Sequence, residues 1–549
     1  MPESSSRSRS FIETLLETAS ASPDQTAATF LHRGETIAAQ HSYAELVAAA
    51  GRVAVRLTAE GLAGRPVLVA LPAGPDVLTT LLGCFWAGAM AVPVPHPVNA
   101  RAAERPLIAL RDARPGAVIT DEVGWRSIGE SCPVPMLSIR DLGEGGPPFP
   151  DPGRKGNDIA FLQYSSGSTR EPAGIAISHG NLVANLAMMQ RALAIDASEI
   201  VVSWLPYFHD MGLLSGYLLP LFIGGHGITM APLDFVQKPM RWLLAMDRFR
   251  ATGSVAPCFG YELCVRRADA ELVPKLDLSR WQRAVCGAEP VRRQALAAFA
   301  EAFLPAGFQR KAFVPCYGLA EATLMVTTGR PGDGERIFAG AVDDKVACGT
   351  VVEGGCLAVL DADGGAVPPG HTGEVWVAGS HVAQGTWDSE RGGVRPFARE
   401  RRDADGIRFV STGDLGYFSG DAFVPVDRIK DIIIVHGQKL HAIDVEASLR
   451  QHPAAADSPA MAAFAVAGPE GDRLVVLCEL ARDRLRRAEA DATAEQMARH
   501  VGASVGMVPD VRLTVAGSLP RTTSGKVRRS ACRDLFLAGS FDRKAPVTE

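Results

Sequence analysis

Short apolar runs alternate with helical patterns through the first 330 residues of this chain. Residues 66–72 (PVLVALP) form an unbroken apolar run between prolines, the pattern of a strand buried on both faces. Residues 91–95, 116–120, 158–164, 201–206, 227–232, 254–257 and 284–290 repeat that texture. Helical stretches lie between them, such as 179–192, which follows Ser178, a hydroxyl placed to cap a helix. This alternation predicts a layered α/β fold with partly parallel sheets.

The texture changes between 356 and 426. The segments CLAVLD, GEVWVAG, IRFVSTGD and GYFSGDAFVPVD are strand-rich and separated by Gly/Asp turns, which predicts a β subdomain. Beyond 427 the order becomes helix (441–451), strand (461–467), strand (473–481), helix (491–505), strand (511–516) and helix (526–537). The division that follows is a large N-terminal domain of layered α/β subdomains at 1–426, with the β subdomain at 350–426. A hinge at 427–431 then leads to a small, mobile α+β C-terminal domain at 432–549.

Two apolar stretches, 77–94 and 212–231, nearly reach the length needed to span a bilayer. Both are broken by Gly or Pro and lack flanking Lys/Arg clusters, so they read as buried helix-plus-strand units. The N-terminus has arginines but no apolar h-region, unlike a signal peptide. With 549 residues and 47% hydrophobic content, the chain can fill more than one core. A net charge of -5 with 21% charged residues gives no electrostatic case for nucleic-acid binding. The ten cysteines form no CxxC pair and the twelve histidines no HExxH, so the thiols read as small buried hydrophobes in a reducing, cytoplasmic compartment.

Five segments carry polar residues suited to chemistry. Residues 164–174 (YSSGSTREPAG) follow an apolar strand; amides freed by Gly, together with Ser and Thr hydroxyls, suit a polyphosphate. No Gly-Lys-Ser/Thr follows, so this is not a Walker loop. Residues 316–323 (CYGLAEAT) place Tyr317 and Glu321 where a strand end passes through Gly318 into a helix; the ring suits a base and the carboxylate a magnesium ion. Residues 411–414 (STGD) lie between two strands, and Asp414 in a tight turn could accept both hydroxyls of a ribose. Residues 427–431 (DRIKD) sit at the proposed domain boundary, and 520–526 (PRTTSGK) present one lysine on a flexible turn. Taken singly, these also read as a surface loop, a core tyrosine with a solvated glutamate, a capped turn, a polar linker and an exposed basic loop.

In this order along one chain, the five segments resemble the adenylate-forming superfamily of acyl-CoA synthetases, adenylation domains and luciferases. Finer features resemble its fatty acyl-AMP ligase branch. Arg170 and Ala173 stand where most of the superfamily has Gly and Lys, and 203–213 (SWLPYFHDMGL), 260–267 (GYELCVRR), 287–292 (GAEPVR), 316–324 (CYGLAEATL) and 519–533 (LPRTTSGKVRRSACR) also match that branch.

The resemblance implies an enzyme that uses ATP and Mg2+ to convert a fatty or similar apolar acid into an acyl adenylate. The acyl group would then pass to the phosphopantetheine thiol of a separate acyl carrier protein. Coenzyme A is the alternative acceptor, and a non-catalytic nucleotide- or acyl-binding homologue is the alternative class. The resemblance further implies that Ser165, Ser166, Gly167, Ser168 and Thr169 cradle the β- and γ-phosphates. Gly287, Ala288, Glu289, Tyr317 and Gly318 would flank the adenine, and Glu321 with Thr169 would hold magnesium. Asp414 and Arg428 would bind the ribose, Lys430 would be the hinge, Lys526 would bridge carboxylate and α-phosphate, and His209 would sit at the acyl mouth. Four departures stand out. The stretch 332–348 is short where the branch carries an insertion, Cys286 replaces an Asn before GAEP, 256–261 (APCFGY) replaces a Gly-Gly-Pro-Asn-like run, and 437–442 (GQKLHA) replaces Gly-x-Asn-x-Tyr-Pro.

Overall fold

The computed structural model describes residues 9–99, 102–129, 132–142, 153, 155–164, 173–334, 346–435, 438–468, 471–482, 487–521 and 527–541. Ser165–Thr169 of the expected phosphate loop, Lys526, and 335–345 of the short stretch lie outside the described residues. Chain contacts divide the molecule into two compact units. The larger holds the described residues up to Pro425 except Gly413–Leu415; the smaller holds that short piece and everything from Val426 onward.

Two large sheets form the framework of the larger unit. The eight-stranded sheet runs, in spatial order, 393–395, 385–388, 174–178, 159–164, 90–93, 66–70, 117–120 and 136–138. Between its strands Pro66–Ala70 and Met90–Pro93 the chain crosses over through the helix Pro75–Ala87, in which every residue from Val77 to Ala87 is buried. That is why 77–94 reads as one apolar stretch: a helix covered on all sides runs into a parallel strand covered on both faces.

The nine-stranded sheet runs 350–351, 325–328, 313–318, 283–286, 253–256, 200–203, 226–230, 26–32 and 36–42. The second apolar stretch also resolves into helix plus strand. Gly212–Leu218 is a π-helix, Leu219–Phe222 continues as α-helix, and His226–Met230 is the strand. The wide π turn is not legible in the sequence, and neither is the outer strand Thr36–Ser42. That strand lies at the sheet edge and is largely solvent-facing, so it has no apolar alternation to betray it.

A five-stranded sheet, 355–360, 373–379, 408–419 and 400–402 with 422–428 paired to 408–419, is built from the strand-rich stretch, while 385–388 and 393–395 join the eight-stranded sheet. One local expectation fails here. Ser411–Asp414 is not a turn between two strands but lies inside the single strand Arg408–Ser419. Gly413 adopts φ +69°, a left-handed kink that glycine tolerates and that lets the strand bend without ending.

The helix His179–Leu193 ties the parts of the larger unit together. Ser178 and Asn181 cap it reciprocally, and Asn181 Nδ2 also donates to the carbonyls of Ser380 (2.8 Å) and Val382 (3.0 Å). One turn on, the buried Asn185 grips the backbone of Met325 twice: Nδ2 donates to its carbonyl at 2.9 Å, and Oδ1 accepts from its N–H at 3.0 Å.

In the smaller unit, Met461–Gly468 pairs antiparallel with Gly471–Leu480, which pairs parallel with Asp510–Val515. Strand alternation splits the apolar residues between two faces. Val476 and Cys478 pack with Val445, Leu449 and Met497, from the helices Ala442–Arg450 and Arg487–Val505. Val475 and Leu477 pack with Phe536 of the helix Arg529–Leu537. Among the described residues no helix is long and apolar enough to cross a membrane.

Replacing Asn185 by Leu leaves both Met325 backbone groups unpaired in the core. The expected loss is about 3 kcal/mol. It is to be read as a lower urea midpoint for the larger unit with an unchanged slope; a shift below 0.5 kcal/mol would show that the clamp contributes little.

Candidate active site

Four neighbouring strands of the nine-stranded sheet run parallel. Gly253–Ala256 pairs with Arg283–Cys286 on one side and with Ile200–Ser203 on the other, and Arg283–Cys286 pairs with Phe313–Gly318. Parallel pairing makes all four end at one edge. The residues just past their C-terminal ends are Trp204–His209, Pro257–Tyr261, Gly287–Glu289 and Leu319–Glu321. In an open α/β sheet this edge is the usual place for a ligand.

The Gly287–Glu289 loop and the Tyr317 strand end are brought into contact. Cys286 stands opposite Pro315, and a side chain on Gly287 would meet Cys316 Sγ at 2.6 Å and the Cys316 carbonyl oxygen at 2.9 Å. Ala288 holds φ +66°, a left-handed conformation that a residue with a Cβ adopts only when its surroundings impose it. Glu289 Oε1 accepts the N–H of Phe259 at 2.9 Å, fastening this loop to the one after the neighbouring strand. The Tyr317 ring lies 5.0 Å from that of Phe423.

Beyond Tyr317 the chain does not enter an α-helix as its sequence suggests. It makes a 3-10 turn at Ala320–Ala322 and doubles back into the antiparallel strand Met325–Thr328. The reversal is forced at two points. Leu319 N–H donates to Leu324 O at 2.9 Å, and Thr323 sits at φ +64° with its hydroxyl donating to His381 O at 2.6 Å. Glu321 thus stands half-buried on a short, tightly held turn, and its own carbonyl accepts Ala383 N–H at 2.8 Å. His381 is fully buried beside this turn. Burial pushes its imidazole down to about 4, and neither ring nitrogen has a hydrogen-bond partner among the described residues.

His209 lies in the loop beyond Ile200–Ser203, with its Nδ1 2.7 Å from Asp210 Oδ1. The loop is anchored by Tyr207, a buried ring whose hydroxyl lies 2.6 Å from Leu71 O and 2.7 Å from Val94 O. Burial raises that phenol's pKa far above its ordinary value, so it stays neutral. Gln163 Nε2 donates to Phe208 O at 3.0 Å. This bond sets the end of Ile159–Tyr164, the strand that leads toward 165–169, beside the His209 loop.

Asp414, Arg428 and Lys430 belong to the smaller unit. Arg428 Nε donates to Asp414 Oδ1 at 2.7 Å, which brings these two residues together. Lys430 is exposed on the 3-10 turn Ile429–Asp431. Arg529 clamps this turn, with Nη1 3.1 Å from Asp431 Oδ2 and Nε 2.7 Å from Glu446 Oε1. Burial raises the Asp431 carboxyl, and the Arg529 charge opposes that rise. His441 Nδ1 lies 3.3 Å from Asp427 Oδ2, where the resembling branch carries a tyrosine.

Sequence reasoning did not single out Gln163, Asn185, Thr323 or His381 as supports, nor the left-handed angle of Ala288. A backbone angle or a hydrogen bond to a distant carbonyl leaves no local pattern. Only the replacement of Asn by Cys286 ahead of Gly287 marked this loop as unusual.

Residues 15–387 match the AMP-binding enzyme family. The chain is 32% identical to the medium-chain-fatty-acid--[acyl-carrier-protein] ligase JamA of Moorena producens over 94% of its own length and 93% of that protein. It superposes on a structure from a study of fatty acyl-adenylate ligases from E. coli and L. pneumophila with a TM-score of 0.83, at 27% identity, covering 97% of this chain and 98% of that one. A fatty acyl-adenylate ligase from L. pneumophila, solved in complex with acyl adenylate and pyrophosphate, gives a TM-score of 0.71 at 31% identity, covering 96% of each chain. The chain belongs to the AMP-binding enzyme family. Within that family it is an ATP-dependent, acyl-adenylating ligase of the fatty acyl-AMP ligase branch.

Gly318 tests how tightly the Glu321 turn is held. An added Cβ would lie 1.8 Å from Leu324 O, a backbone atom that cannot yield without opening the reversal. Gly318→Ala is expected to cost about 3 kcal/mol and to weaken pyrophosphate exchange with ATP more than it weakens overall folding. Full activity with unchanged thermal stability would show that the turn tolerates the displacement.

Proposed function

We propose that the protein activates a fatty or similar apolar carboxylic acid with ATP, releases pyrophosphate, and passes the acyl group to the phosphopantetheine thiol of an acyl carrier protein. The observation that carries this reading is the placement of Gly287–Glu289 and Leu319–Glu321 at adjacent C-terminal strand ends, in a chain similar throughout to ligases with this activity.

In this reading Ala288 and Tyr317 flank the adenine, with Gly287, Glu289 and Gly318 shaping its edges. Ser165, Ser166, Gly167, Ser168 and Thr169 surround the outer phosphates. Asp414, held by Arg428, accepts from the ribose hydroxyls. The acid's carboxylate attacks the α-phosphorus in line, and pyrophosphate leaves. Lys526 draws the two anionic groups together and stabilises the charge that develops between them. His209 stands at the acyl mouth, where its bond to Asp210 fixes the ring.

Magnesium, when bound, neutralises phosphate charge. Glu321 with Thr169 would hold it. The donor set fits, because magnesium is commonly held by one or two carboxylates with the substrate's own phosphates, and Glu321 supplies one on a rigid turn. The smaller domain, 432–549, would turn about Lys430 between the adenylating and acyl-transfer steps. The ten free cysteines fit a reducing cytoplasm.

Two measurements test the reading. Lys526→Ala is expected to slow adenylate formation by about 3 kcal/mol in the barrier, roughly two orders of magnitude, with ATP affinity nearly kept; an unchanged rate would refute its role. Isolated acyl adenylate on the enzyme is then offered carrier protein or coenzyme A separately. Transfer to the carrier thiol is expected, and rapid acyl-CoA formation would replace the carrier with coenzyme A.

A further inference from the structure

Below the Gly287–Glu289 loop lies a pair of thiols that the proposed chemistry does not use. Cys286 ends its strand opposite Ala256, and Cys258, two residues beyond Ala256, begins the helix Cys258–Arg266. Their sulfurs are 3.6 Å apart, in van der Waals contact, and both residues are fully buried. A disulfide would need them to close by about 1.5 Å.

The two thiols differ in surroundings. Cys258 stands at a helix N-terminus, accepts the backbone N–H of Arg292 at 3.3 Å, and its S–H donates to Pro290 O at 3.8 Å. Burial raises the Cys286 thiol well above the usual thiol range. The Arg292 N–H contact distinguishes Cys258, taken as the attacking sulfur, from Cys286, taken as the resolving one. Phe259, next after Cys258, and Ala288, two residues after Cys286, are half-buried, so the pair lies one to two residues beneath the accessible loop.

We infer that Cys258 and Cys286 form a peroxide-sensitive dithiol whose oxidation distorts the adenine cradle and shuts off ATP binding. Cys258 sulfur attacks hydrogen peroxide, breaking the O–O bond, giving a sulfenic acid and one water. Cys286 sulfur then displaces the sulfenic hydroxyl, its proton leaves with that hydroxyl as a second water, and the S–S bond forms. Peroxide takes up the two electrons that the thiols lose.

The mechanical consequence follows from the packing. Gly287 is already seated against Cys316, and Glu289 is fastened to Phe259. A pull on Cys286 therefore falls on Ala288, which is held at φ +66°. The effect on ATP rests on the adenylating reading above; formation of the disulfide does not.

The full chain is treated with hydrogen peroxide. Its thiols are mapped by differential alkylation and peptide mass spectrometry, and ATP binding is measured by calorimetry before and after. The expected result is a Cys258–Cys286 linked peptide, with ATP affinity lowered by about tenfold or more and restored by dithiothreitol. Cys286→Ser and Cys258→Ser are each expected to bind ATP when untreated and to keep that affinity under peroxide, so either variant serves if the other fails to fold. Free, alkylated Cys258 and Cys286 after treatment would overturn the proposal. So would a linked pair with unchanged ATP affinity, or an equal loss in the serine variants. If the reduced wild-type chain binds no ATP, the adenylating reading fails, and the mapped linkage alone decides whether the thiol pair is reactive.

Discussion

Parallel pairing among Ile200–Ser203, Gly253–Ala256, Arg283–Cys286 and Phe313–Gly318 is the constraint on which the site depends. Strands that run the same way end at the same edge, so four segments far apart in sequence deliver their following residues to one place. The strands are buried, and their backbone groups are satisfied by each other. Past the last paired residue those groups need new partners, and the loops supply them: Glu289 to Phe259 N–H, Gln163 to Phe208 O, Thr323 to His381 O. The bonds that complete the backbone accounting also fix the loop shapes.

Strain gathers at the same edge. Ala288 and Thr323 hold left-handed angles on either side of the Tyr317 strand end, and Gly287 and Gly318 are packed too closely for a side chain. Such features persist only where the surroundings over-determine them. Here the surroundings are the largely buried central strands of the sheet and the asparagine clamps of the helix His179–Leu193. The turn that carries Glu321 is therefore held by bonds within the protein itself. The smaller unit is organised by charge instead: Arg428 on Asp414, and Arg529 across Asp431 and Glu446, hold the segment around Lys430 in a defined form.

Much of this was legible in the residues. The strand series from 66 to 290 and the buried helix-plus-strand units at 77–94 and 212–231 follow from apolar run length, because parallel strands and enclosed helices leave no polar face. The Ser178 cap was equally plain, since its signal is local. What escaped was non-local. The chain reversal after Gly318 reads as a helix start, because Ala320, Glu321 and Ala322 are good helix formers, yet tertiary bonds to Leu324 and His381 override them. Ser411–Asp414 reads as a turn, because a Gly-Asp pair signals one. Its neighbours in the sheet keep the strand running, and Gly413 absorbs the bend. The departures at Cys286 and at 256–261 marked the two segments that carry the thiols, but nothing in the sequence set Cys258 beside Cys286.

A crystal structure with a hydrolysis-resistant acyl sulfamoyladenosine tests the central claim most directly. The account requires the adenine between Ala288 and Tyr317, with the sulfamoyl group toward Glu321 and the acyl chain running toward the His209 loop. Density for the analogue anywhere other than this strand edge, or an adenine that leaves Tyr317 and Ala288 untouched, would contradict it.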